Sequence, residues 1–554
     1  MPHQATTIST DVLIAGGGPC GLMLAIELGR RGVRYLLVND KPATAFNPQA
    51  NATQARTMEH FRRLGLAQRV RQLGLPADHP TDIAYLTRFA GHELARLRLP
   101  TAAAATQMIK TMGGSWSAAE LPHRVSQKFV EATLRDEAQR LAGVELRYGW
   151  RMTSFADQGD GVRARIDAAE GGDASTVQAH YLVGADGARS SVRRQLGFSW
   201  QGDTGIKRNF MGGRMLAVYL RAPDFYRLNP NDRAWMYVMV HPALRAFMMS
   251  VDGQGEFAFH IQVPAGVDGD RYTEADARRF FAQASGLDCE IEILSMATWT
   301  AGHALVASNF QQGRVFLGGD AAHLFTPTGG LGYNTAVEDA VNLGWKLAAA
   351  VKGQAGAALL RSYELERKPL ALRNTGYARQ FADSIGSFTA APELDDDSDA
   401  GVQARAAAGV YLNGHARREF NIPGVTFGGR YDGSPVIVAD GTQPPVDAAN
   451  SYSPSACPGG RPPHAWLADG RSLFDTFGFD WTLLVLGPQP VPVAAFEAHA
   501  RLAGVSLTVV HQPEAAVLAL YEAALVLIRP DHIVAWRGAD DGAAAQVLAQ
   551  VLGR

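Results

Sequence analysis

The feature that most constrains the fold is a glycine loop near the start of the chain, between an apolar run and a helical stretch. Residues 11–15 predict a buried strand, and a helix is expected to run from the loop to about Arg31. Gly16, Gly18 and Gly21 fit G-x-G-x-x-G, whose glycines allow a tight turn, access for a pyrophosphate and close helix–strand packing. The motif predicts a dinucleotide-binding α/β fold, with a glycine turn that binds nothing as the alternative.

A second strand is expected over residues 35–38, and in such folds an acid at its end contacts the ribose hydroxyls. Asn39 holds that position here, and Asp40 follows it. The ribose contact is therefore atypical, and the motif does not separate NAD from FAD.

A second glycine-rich segment, residues 313–345, combines a strand, an acid and a helix. The apolar run 315–317 leads to Asp320 and predicts a buried strand that places one carboxylate in a cleft. The loop after it contains Pro327, Gly329, Gly330 and Gly332. Such a loop lets the backbone approach a flat ligand, and the following helix directs its N-terminus at that ligand. The N-terminus suits an anion such as a reduced flavin, while an ordinary strand–loop–helix unit is the alternative.

A third strand, residues 181–187, ends in Asp186 and Gly187 and is followed by Arg189 and Arg193. The acid could accept hydrogen bonds from the first glycine loop while one arginine faces phosphates. A structural capping turn is the alternative.

Three further polar residues are cofactor candidates. Arg56 begins a helical pattern over residues 51–66 and could reach a phosphate or cover the flavin. Arg124 and Gln127 lie one turn apart on a helix predicted over residues 123–140, where they could bind ribityl hydroxyls or phosphate. Solvated surface positions are the alternative for all three.

Residues 205–300 contain short runs rich in apolar residues at 235–240, 246–251 and 257–263, which predict an antiparallel sheet inserted into the nucleotide domain. One face would be core and the other could form the wall of an apolar pocket. Tyr219, Tyr237 and His241 are the pocket candidates, although core or surface positions are common for such residues.

Charge and cysteine content narrow the function. A net charge of −2 and a pI near 6.7 give no basic footprint for nucleic acid and no polybasic membrane anchor. Three separated cysteines form no CxxC, which argues against a disulfide framework or a metal site. The sequence has no run of 18 apolar residues, so a membrane span is not predicted and a cytoplasmic protein is expected.

Together the three motifs, in this order, resemble the class A flavoprotein aromatic hydroxylases built on the p-hydroxybenzoate hydroxylase fold. The longer phenol- and polyketide-hydroxylating members, which carry a thioredoxin-like C-terminal domain, are most similar. The resemblance implies an α/β fold: a Rossmann-like FAD-binding domain (1–200 and 300–390), an inserted antiparallel-sheet substrate domain (201–299), a linker (391–429) and a thioredoxin-like domain (430–554). The tail lacks the thioredoxin CxxC, and Cys457 stands alone, so a redox role is not expected.

The same resemblance implies roles for the motifs. The first loop would receive the FAD pyrophosphate, Asp320 the ribityl chain, and the backbone of residues 330–334 the flavin ring, while Asp186 would serve FAD and NAD(P)H. The implied cofactor residues are Gly16, Gly18, Pro19, Cys20, Gly21, Asn39, Asp40, Arg56, Arg124, Gln127, Asp186, Gly187, Arg189, Gly319, Asp320, Pro327, Gly330, Leu331, Gly332, Tyr333 and Asn334.

The implied activity is hydroxylation of a phenolic or related aromatic small molecule. NAD(P)H would reduce non-covalently bound FAD, which takes up O2, and a C4a-hydroperoxide would pass a hydroxyl group to the ring. One alternative is a flavin monooxygenase or oxidase acting on a non-phenolic antibiotic or polyketide, and another is a non-catalytic flavin-binding protein. A homodimer is compatible with the sequence, which names neither a catalytic base nor a preference between NADH and NADPH.

Overall fold

A computed structural model describes residues 6–204 and 210–554 of the chain. Residues 205–209, at the start of the predicted sheet segment, lie outside the described residues. In the described ranges the strands are β1 Thr6–Ala15, β2 Tyr35–Asn39, β3 Ile83–Leu86, β4 Glu93–Leu97, β5 Val144–Tyr148, β6 Trp150–Asp157, β7 Val162–Ala168, β8 Ala174–Gly184, β9 Trp200–Asp203, β10 Gly213–Arg221, β11 Met236–Val240, β12 Arg245–Ser250, β13 Glu256–Gln262, β14 Glu292–Ala301, β15 Ala304–Ala307, β16 Gln311–Gln312, β17 Val315–Leu317, β18 His323–Leu324, β19 Trp481–Leu486, β20 Leu507–Gln512, β21 Leu525–Ile528 and β22 Val534–Gly538.

The helices alternate with these strands at both ends of the chain. In chain order they are α1 Pro19–Gly29, α2 Ala55–Arg63, α3 Ala67–Arg71, α4 Ala102–Met108, α5 Gln127–Gln139, α6 Ser191–Gln195, α7 Phe225–Leu228, α8 Glu274–Ser285, α9 Leu331–Val351, α10 Ala357–Gly386, α11 Asp399–Phe420, α12 Pro423–Phe427, α13 Ala494–Ala503, α14 Ala515–Tyr521 and α15 Ala544–Val551. Short 3₁₀ helices span Gly114–Trp116, Gly269–Arg271, Gly319–Ala321, Pro392–Asp395 and Leu473–Thr476.

The first sheet is the predicted nucleotide-binding sheet. β1 lies between β2 and β8 and is parallel to both, and β17 adds to β8 in the same direction. The run Val12, Leu13 and Ile14 is completely buried, which explains why it forms a central strand. Because parallel strands present their carboxyl ends at one edge, the loops after β1, β8 and β17 meet there. The Rossmann-like expectation is confirmed.

The second sheet is the predicted inserted sheet, with one difference in its composition. Its strand order is β14-β10-β13-β12-β11-β3-β4. β3 and β4 come from residues before 201, and β3 pairs parallel to β11, so the sheet is neither confined to 201–299 nor wholly antiparallel. One face packs under α8, where Leu216 and Val218 join Phe281 in a buried cluster. The opposite face turns toward the nucleotide domain.

The segment predicted as a linker, residues 391–429, instead contains α11 and α12. Ala408, Leu412 and Ala416 of α11 are buried in one cluster with Leu94 and Ala95 of β4. Their four-residue spacing gives the helix one apolar side, which the glycines and the acidic start of this segment concealed in the sequence.

The C-terminal part of the chain forms a separate four-stranded sheet, ordered β20-β19-β21-β22. β19 and β20 are parallel, whereas β21 and β22 run antiparallel, and α13 and α15 pack in one cluster beside the sheet. This arrangement confirms the thioredoxin-like expectation. None of the helices in the described parts of the chain is long and apolar enough to cross a membrane.

Candidate functional site

The three glycines of the first motif have different surroundings. A Cβ on Gly16, whose φ is +117°, would lie 2.1 Å from the Ala185 carbonyl oxygen, and one on Gly21 would lie 2.0 Å from that of Gly16. These two glycines are therefore required by packing within the protein. A Cβ on Gly18 would meet no atom of the described residues within 4 Å. Gly18 thus borders open space in front of Pro19, the first residue of α1, as a pyrophosphate site requires.

Asn39, at the end of β2, turns its side chain to this loop. Its Oδ1 accepts a hydrogen bond from the Gly17 N–H at 3.0 Å, and its Nδ2 donates to the Lys41 carbonyl at 3.3 Å. Asp40 is exposed and lies 3.9 Å from the Lys41 ammonium. Asn39 rather than Asp40 therefore contacts the glycine loop.

Cys20 joins the first motif to the segment around Asp320. A Cβ on Gly318 would lie 2.9 Å from the Cys20 Sγ, and one on Gly319 would lie 3.1 Å from the Cys20 Cβ. Burial raises the pKa of the Cys20 thiol well above its usual range, so this cysteine is a packing residue. Its contacts bring Asp320 to the same edge of the sheet as Gly18.

Asp320 follows β17 and is exposed at the carboxyl edge of the sheet. The protein around it raises the pKa of its carboxyl by desolvation, while His323 acts in the opposite sense. An accessible acid walled by protein is suited to accept hydrogen bonds from a ligand that fills the space. We call the space bordered by Gly18, Asp320 and Gly330 the cofactor cleft.

Asp339 of α9 holds the turn that carries Asp320. Its Oδ2 accepts a hydrogen bond from the Gly319 N–H at 3.1 Å and lies 2.6 Å from His323 Nε2. Its Oδ1 accepts from Arg367 Nε at 2.8 Å, and all three side chains are fully buried. Burial opposes ionisation, but His323 and Arg367 outweigh it and lower the pKa of Asp339. The sequence contained a signal for this residue, because an acid on the apolar side of a helix needs a buried partner.

The second glycine loop turns the chain into α9. Gly329 and Gly330 have φ of +65° and +66°, and Pro327 before them is exposed. α9 begins at Leu331 without a side-chain cap, so the N–H groups of Leu331, Gly332 and Tyr333 are available to an anion.

Asn334 fixes this loop to the segment before α2. Its Oδ1 accepts from the Gln54 N–H at 2.8 Å, and its Nδ2 donates to the Ala52 carbonyl at 2.9 Å. The Gln54 side chain in turn donates to the Gly329 carbonyl at 2.7 Å. The backbone on this side of the cofactor cleft is therefore held in a defined position.

Glu419, near the end of α11, is a site residue that the sequence did not indicate. Its Oε1 accepts a hydrogen bond from the Gly329 N–H at 3.0 Å, and its Oε2 lies 2.9 Å from His415 Nε2. No local motif marks Glu419, because it reaches the glycine loop only through the packing of α11.

Asp186 caps the helix that follows it. Its Oδ2 accepts hydrogen bonds from the backbone N–H groups of Ser191 and Val192 at 2.7 and 3.1 Å. Its Oδ1 has no partner among the described residues, and a Cβ on Gly187 would meet no atom within 4 Å. Arg189 is exposed. The capping turn exists, Oδ1 is sealed from solvent, and open space for a ligand lies beside Gly187.

Arg56 and Gln127 make internal contacts. Arg56 is buried and donates from Nη2 to the carbonyls of Asp531 and His532, both at 2.9 Å, so it faces the C-terminal domain and not a phosphate. Gln127 donates to Glu131 at 2.6 Å from the first turn of α5. Arg124 precedes α5, so it does not share a helix face with Gln127.

Arg124 instead lines a cavity of about 580 Å³, which we call the arginine-lined cavity. It lies between the end of β4, α4, residues 121–124 and the end of α11. The Arg124 guanidinium stands 4.4 Å from the ring centre of Trp235 and 6.0 Å from that of Phe420.

The three pocket candidates lie elsewhere. Tyr219 donates to Glu256 and accepts from Lys128, which fixes it at the contact between the sheet and α5. Tyr237 packs in the cluster under α8, where burial raises its pKa to about 12. His241 pairs with Asp395 at 3.0 Å. Period-two alternation indicated two faces, but the side that meets a ligand is decided by packing.

The site as a whole fits a flavin dinucleotide. Open space at Gly18 and Gly187, the accessible Asp320 and the uncapped start of α9 supply room, an acceptor and donors along one edge of the sheet. These are the groups that a pyrophosphate, a polyhydroxyl chain and an electron-rich ring need.

Comparison with known proteins adds an independent line of evidence. The FAD binding domain family matches residues 9–377, and the aromatic-ring hydroxylase C-terminal family matches residues 455–554. Aklavinone 12-hydroxylase RdmE of Streptomyces purpurascens is 32% identical, over 98% of this chain and 98% of its own. Phenol 2-monooxygenase of Pseudomonas sp. (strain EST1001) is 30% identical, over 97% of this chain and 91% of its own.

A solved structure agrees with these matches. The rebeccamycin biosynthetic enzyme RebC with reduced flavin superposes with a TM-score of 0.88 at 35% identity, and the alignment covers 99% of both chains.

Proposed function

Since the chain belongs to the FAD-binding aromatic-ring hydroxylases and is an FAD-dependent monooxygenase of aromatic compounds, we propose that it uses NAD(P)H and O2 to hydroxylate a phenolic or related ring. The observation that carries this proposal is the cofactor cleft, where Gly18, Asp320 and the start of α9 meet at one sheet edge. When bound there, FAD supplies the redox chemistry and the activation of O2.

The residues of the cleft divide the work of holding the cofactor. The open space at Gly18 would admit the pyrophosphate, the accessible Asp320 would accept hydrogen bonds from the ribityl hydroxyls, and the backbone of residues 330–334 would hold the ring. The open space beside Gly187, next to Asp186, would admit part of the cofactor or NAD(P)H. Asn39 supports the pyrophosphate loop in place of an acid.

α9 contributes electrostatics. Its uncapped N-terminus carries a partial positive charge that favours negative charge on a group bound against Gly330. Such fixed dipoles need no reorganisation during the reaction, so they are effective where charge develops.

Water exclusion is the contribution of the inserted sheet. Met215, Phe247 and Trp299 belong to an apolar cluster that also includes Ala52, next to the second glycine loop. An apolar wall beside the reacting ring protects an oxygen-transferring species from side reactions with water.

The experiment that tests the function is oxygen labelling. Purified holoenzyme is supplied with NADH or NADPH, ¹⁸O2 and a panel of phenols and naphthols. Substrate-stimulated NAD(P)H oxidation and one ¹⁸O atom in the product are expected. Peroxide as the only oxygen product with every compound would indicate an oxidase, and a colourless protein that does not bind FAD would contradict the proposal altogether.

A further inference from the structure

The arginine-lined cavity is larger than one phenol ring needs. An apolar cavity of about 150 Å³ can hold benzene, whereas this one measures about 580 Å³ and falls within the range of ligand pockets. Its apolar lining includes Leu97, Met108, Trp116 and Phe420. The flat aromatic side chains of Trp116 and Phe420 favour stacking against a ring system. The space therefore suits a ligand of several fused rings.

Its charged lining has one sign. Arg96, Arg98, Arg124 and Arg417 line the cavity, and no Asp or Glu is among the lining residues in the described parts of the chain. Arg96 forms ion pairs with Glu93 and Asp82, and Arg98 lies within 4 Å of Asp82 and Asp232. Arg417 is exposed and is found at the rim.

Arg124 is the exception among these four. Only 7% of the residue is exposed, yet its guanidinium makes no hydrogen bond to any residue that the structure describes. None of its nitrogens is among the polar atoms sealed from solvent, so they face the cavity. Glu419, the acid whose charge acts on Arg124, is engaged with Gly329 and His415. A buried cation whose N–H groups have no acceptor destabilises the folded protein unless a ligand or water accepts hydrogen bonds from it.

The cavity also adjoins the cofactor cleft. His123, in its wall, exchanges backbone hydrogen bonds of 2.9 and 2.8 Å with Thr53. Thr53 lies between Ala52 and Gln54, the two residues that Asn334 holds against the second glycine loop. A ligand reaching Arg124 is therefore separated from that loop by the short segment of residues 52–54.

We propose that the substrate is a multi-ring aromatic acid whose carboxylate pairs with Arg124 while its rings lie against Trp116 and Phe420. This inference rests on the proposed function and names its substrate class. The guanidinium fork matches a carboxylate in two parallel hydrogen bonds, and its low exposure protects the pair from solvent.

The test compares a matched pair of probes, 6-hydroxy-2-naphthoate and neutral 2-naphthol, by their effect on the flavin absorbance of the holoenzyme. The wild-type protein is expected to bind the acid at least tenfold more tightly. Arg124→Met should reduce that preference to less than threefold with FAD content unchanged, and Arg124→Lys should keep part of it. Arg361→Met, which alters an exposed arginine outside the cavity, is the control.

Several outcomes would overturn the inference: no preference for the acid in the wild-type protein, an unchanged preference in Arg124→Met, or loss of FAD from that variant, which would place Arg124 in the cofactor site. If the Met variant does not fold, the two probes on the wild-type protein decide. Tight acid binding without any ¹⁸O in a product would count against the proposed function and not against the binding of an acid.

Discussion

At the scale of single residues, the glycines of the first motif are needed for two different reasons, packing within the protein and space for a ligand. Gly16 and Gly21 are confined by neighbouring backbone atoms, whereas a side chain on Gly18 would extend into open space. Gly18 also has a φ of −81°, which any residue can adopt. Packing within the protein therefore requires Gly16 and Gly21, whereas Gly18 is explained by the space that a bound ligand needs.

Gly18→Ala should leave the fold intact and lower the affinity of the protein for FAD. No atom of residues 6–204 or 210–554 would contact the new methyl group, but it would occupy the path of the pyrophosphate. We expect the melting temperature of the apoprotein to be unchanged and the Kd for FAD to rise by about tenfold or more, a change of about 1.4 kcal/mol. Gly376→Ala, at another position with open space, is the control. Equal FAD affinity in both variants would contradict the placement of the pyrophosphate.

Asp320→Ala should lower the affinity for FAD, because the carboxylate that accepts hydrogen bonds from the cofactor is removed. A hydrogen bond to a charged group contributes roughly 1.5–3 kcal/mol, so an affinity loss of about 10- to 150-fold is expected in a fluorescence titration of apoprotein with FAD. Asp40→Ala provides the matched comparison, since Asp40 is exposed and contacts only Lys41 weakly. Similar losses in the two variants would argue against Asp320 as the ribityl ligand.

These residues also mark what a sequence can reveal. Gly16, Gly18 and Asp320 could be predicted because each lies next to a strand end and acts through local backbone geometry. The direction of a long side chain depends on distant packing, so Arg56 proved to contact the C-terminal domain and Tyr237 the cluster under α8. The fold class followed from three local motifs, whereas the pocket did not.

At the scale of elements, α11 connects two parts of the molecule that the sequence kept apart. It packs on β4 through its apolar side and reaches the second glycine loop through Glu419. The glycines and the acidic start of its sequence obscured the helical pattern. The contact of Glu419 with Gly329 joins residues far apart in the chain, so no local motif could predict it. The element missed in the sequence is thus the one that supports the cofactor loop from outside.

Glu419→Ala should loosen that loop. Removing the carboxylate leaves the buried Gly329 N–H and His415 without their partner, at a cost of about 1–3 kcal/mol. We expect faster amide hydrogen exchange in residues 328–332 and a lower affinity for FAD. Gln403→Ala, at an exposed position of the same helix, should change neither quantity. Unchanged exchange in the Glu419 variant would mean that α11 does not support the loop.

At the scale of the whole molecule, buried ion pairs fasten the C-terminal domain to the FAD domain. Glu366 of α10 pairs with Arg529 at 2.7 Å and with Lys346 at 2.6 Å, and all three side chains are fully buried. Glu59 of α2 pairs in the same way with Arg461 and with Arg56. Because a buried charge left without its partner is strongly destabilising, removing one member of such a pair should lower the stability of the protein.

Glu59→Gln tests this docking through its pH dependence. Burial acts to raise the pKa of Glu59, but Arg461 and Arg56 outweigh it and lower the pKa from 4.5 to about 2. The folded state therefore holds the carboxylate more strongly charged than the unfolded chain does. The resulting stability is complete above pH 4.5 and is lost as the pH falls toward 2. At neutral pH the variant should be less stable by about 3–5 kcal/mol, because Arg461 loses its charged partner.

The measurement is thermal unfolding of wild type and Glu59→Gln at pH 7.5, 5.5 and 3.5. The gap between their melting temperatures should be nearly equal at the two higher pH values and smaller at pH 3.5, where the unfolded carboxyl is largely protonated and the wild-type advantage declines. Glu497→Gln, at an exposed position of α13 in the C-terminal domain, should melt like wild type throughout. A gap that widens on acidification would mean that Glu59 is not stabilised as a carboxylate, and the domain contact would then depend on other pairs, such as Glu366–Arg529 and Arg62–Asp475.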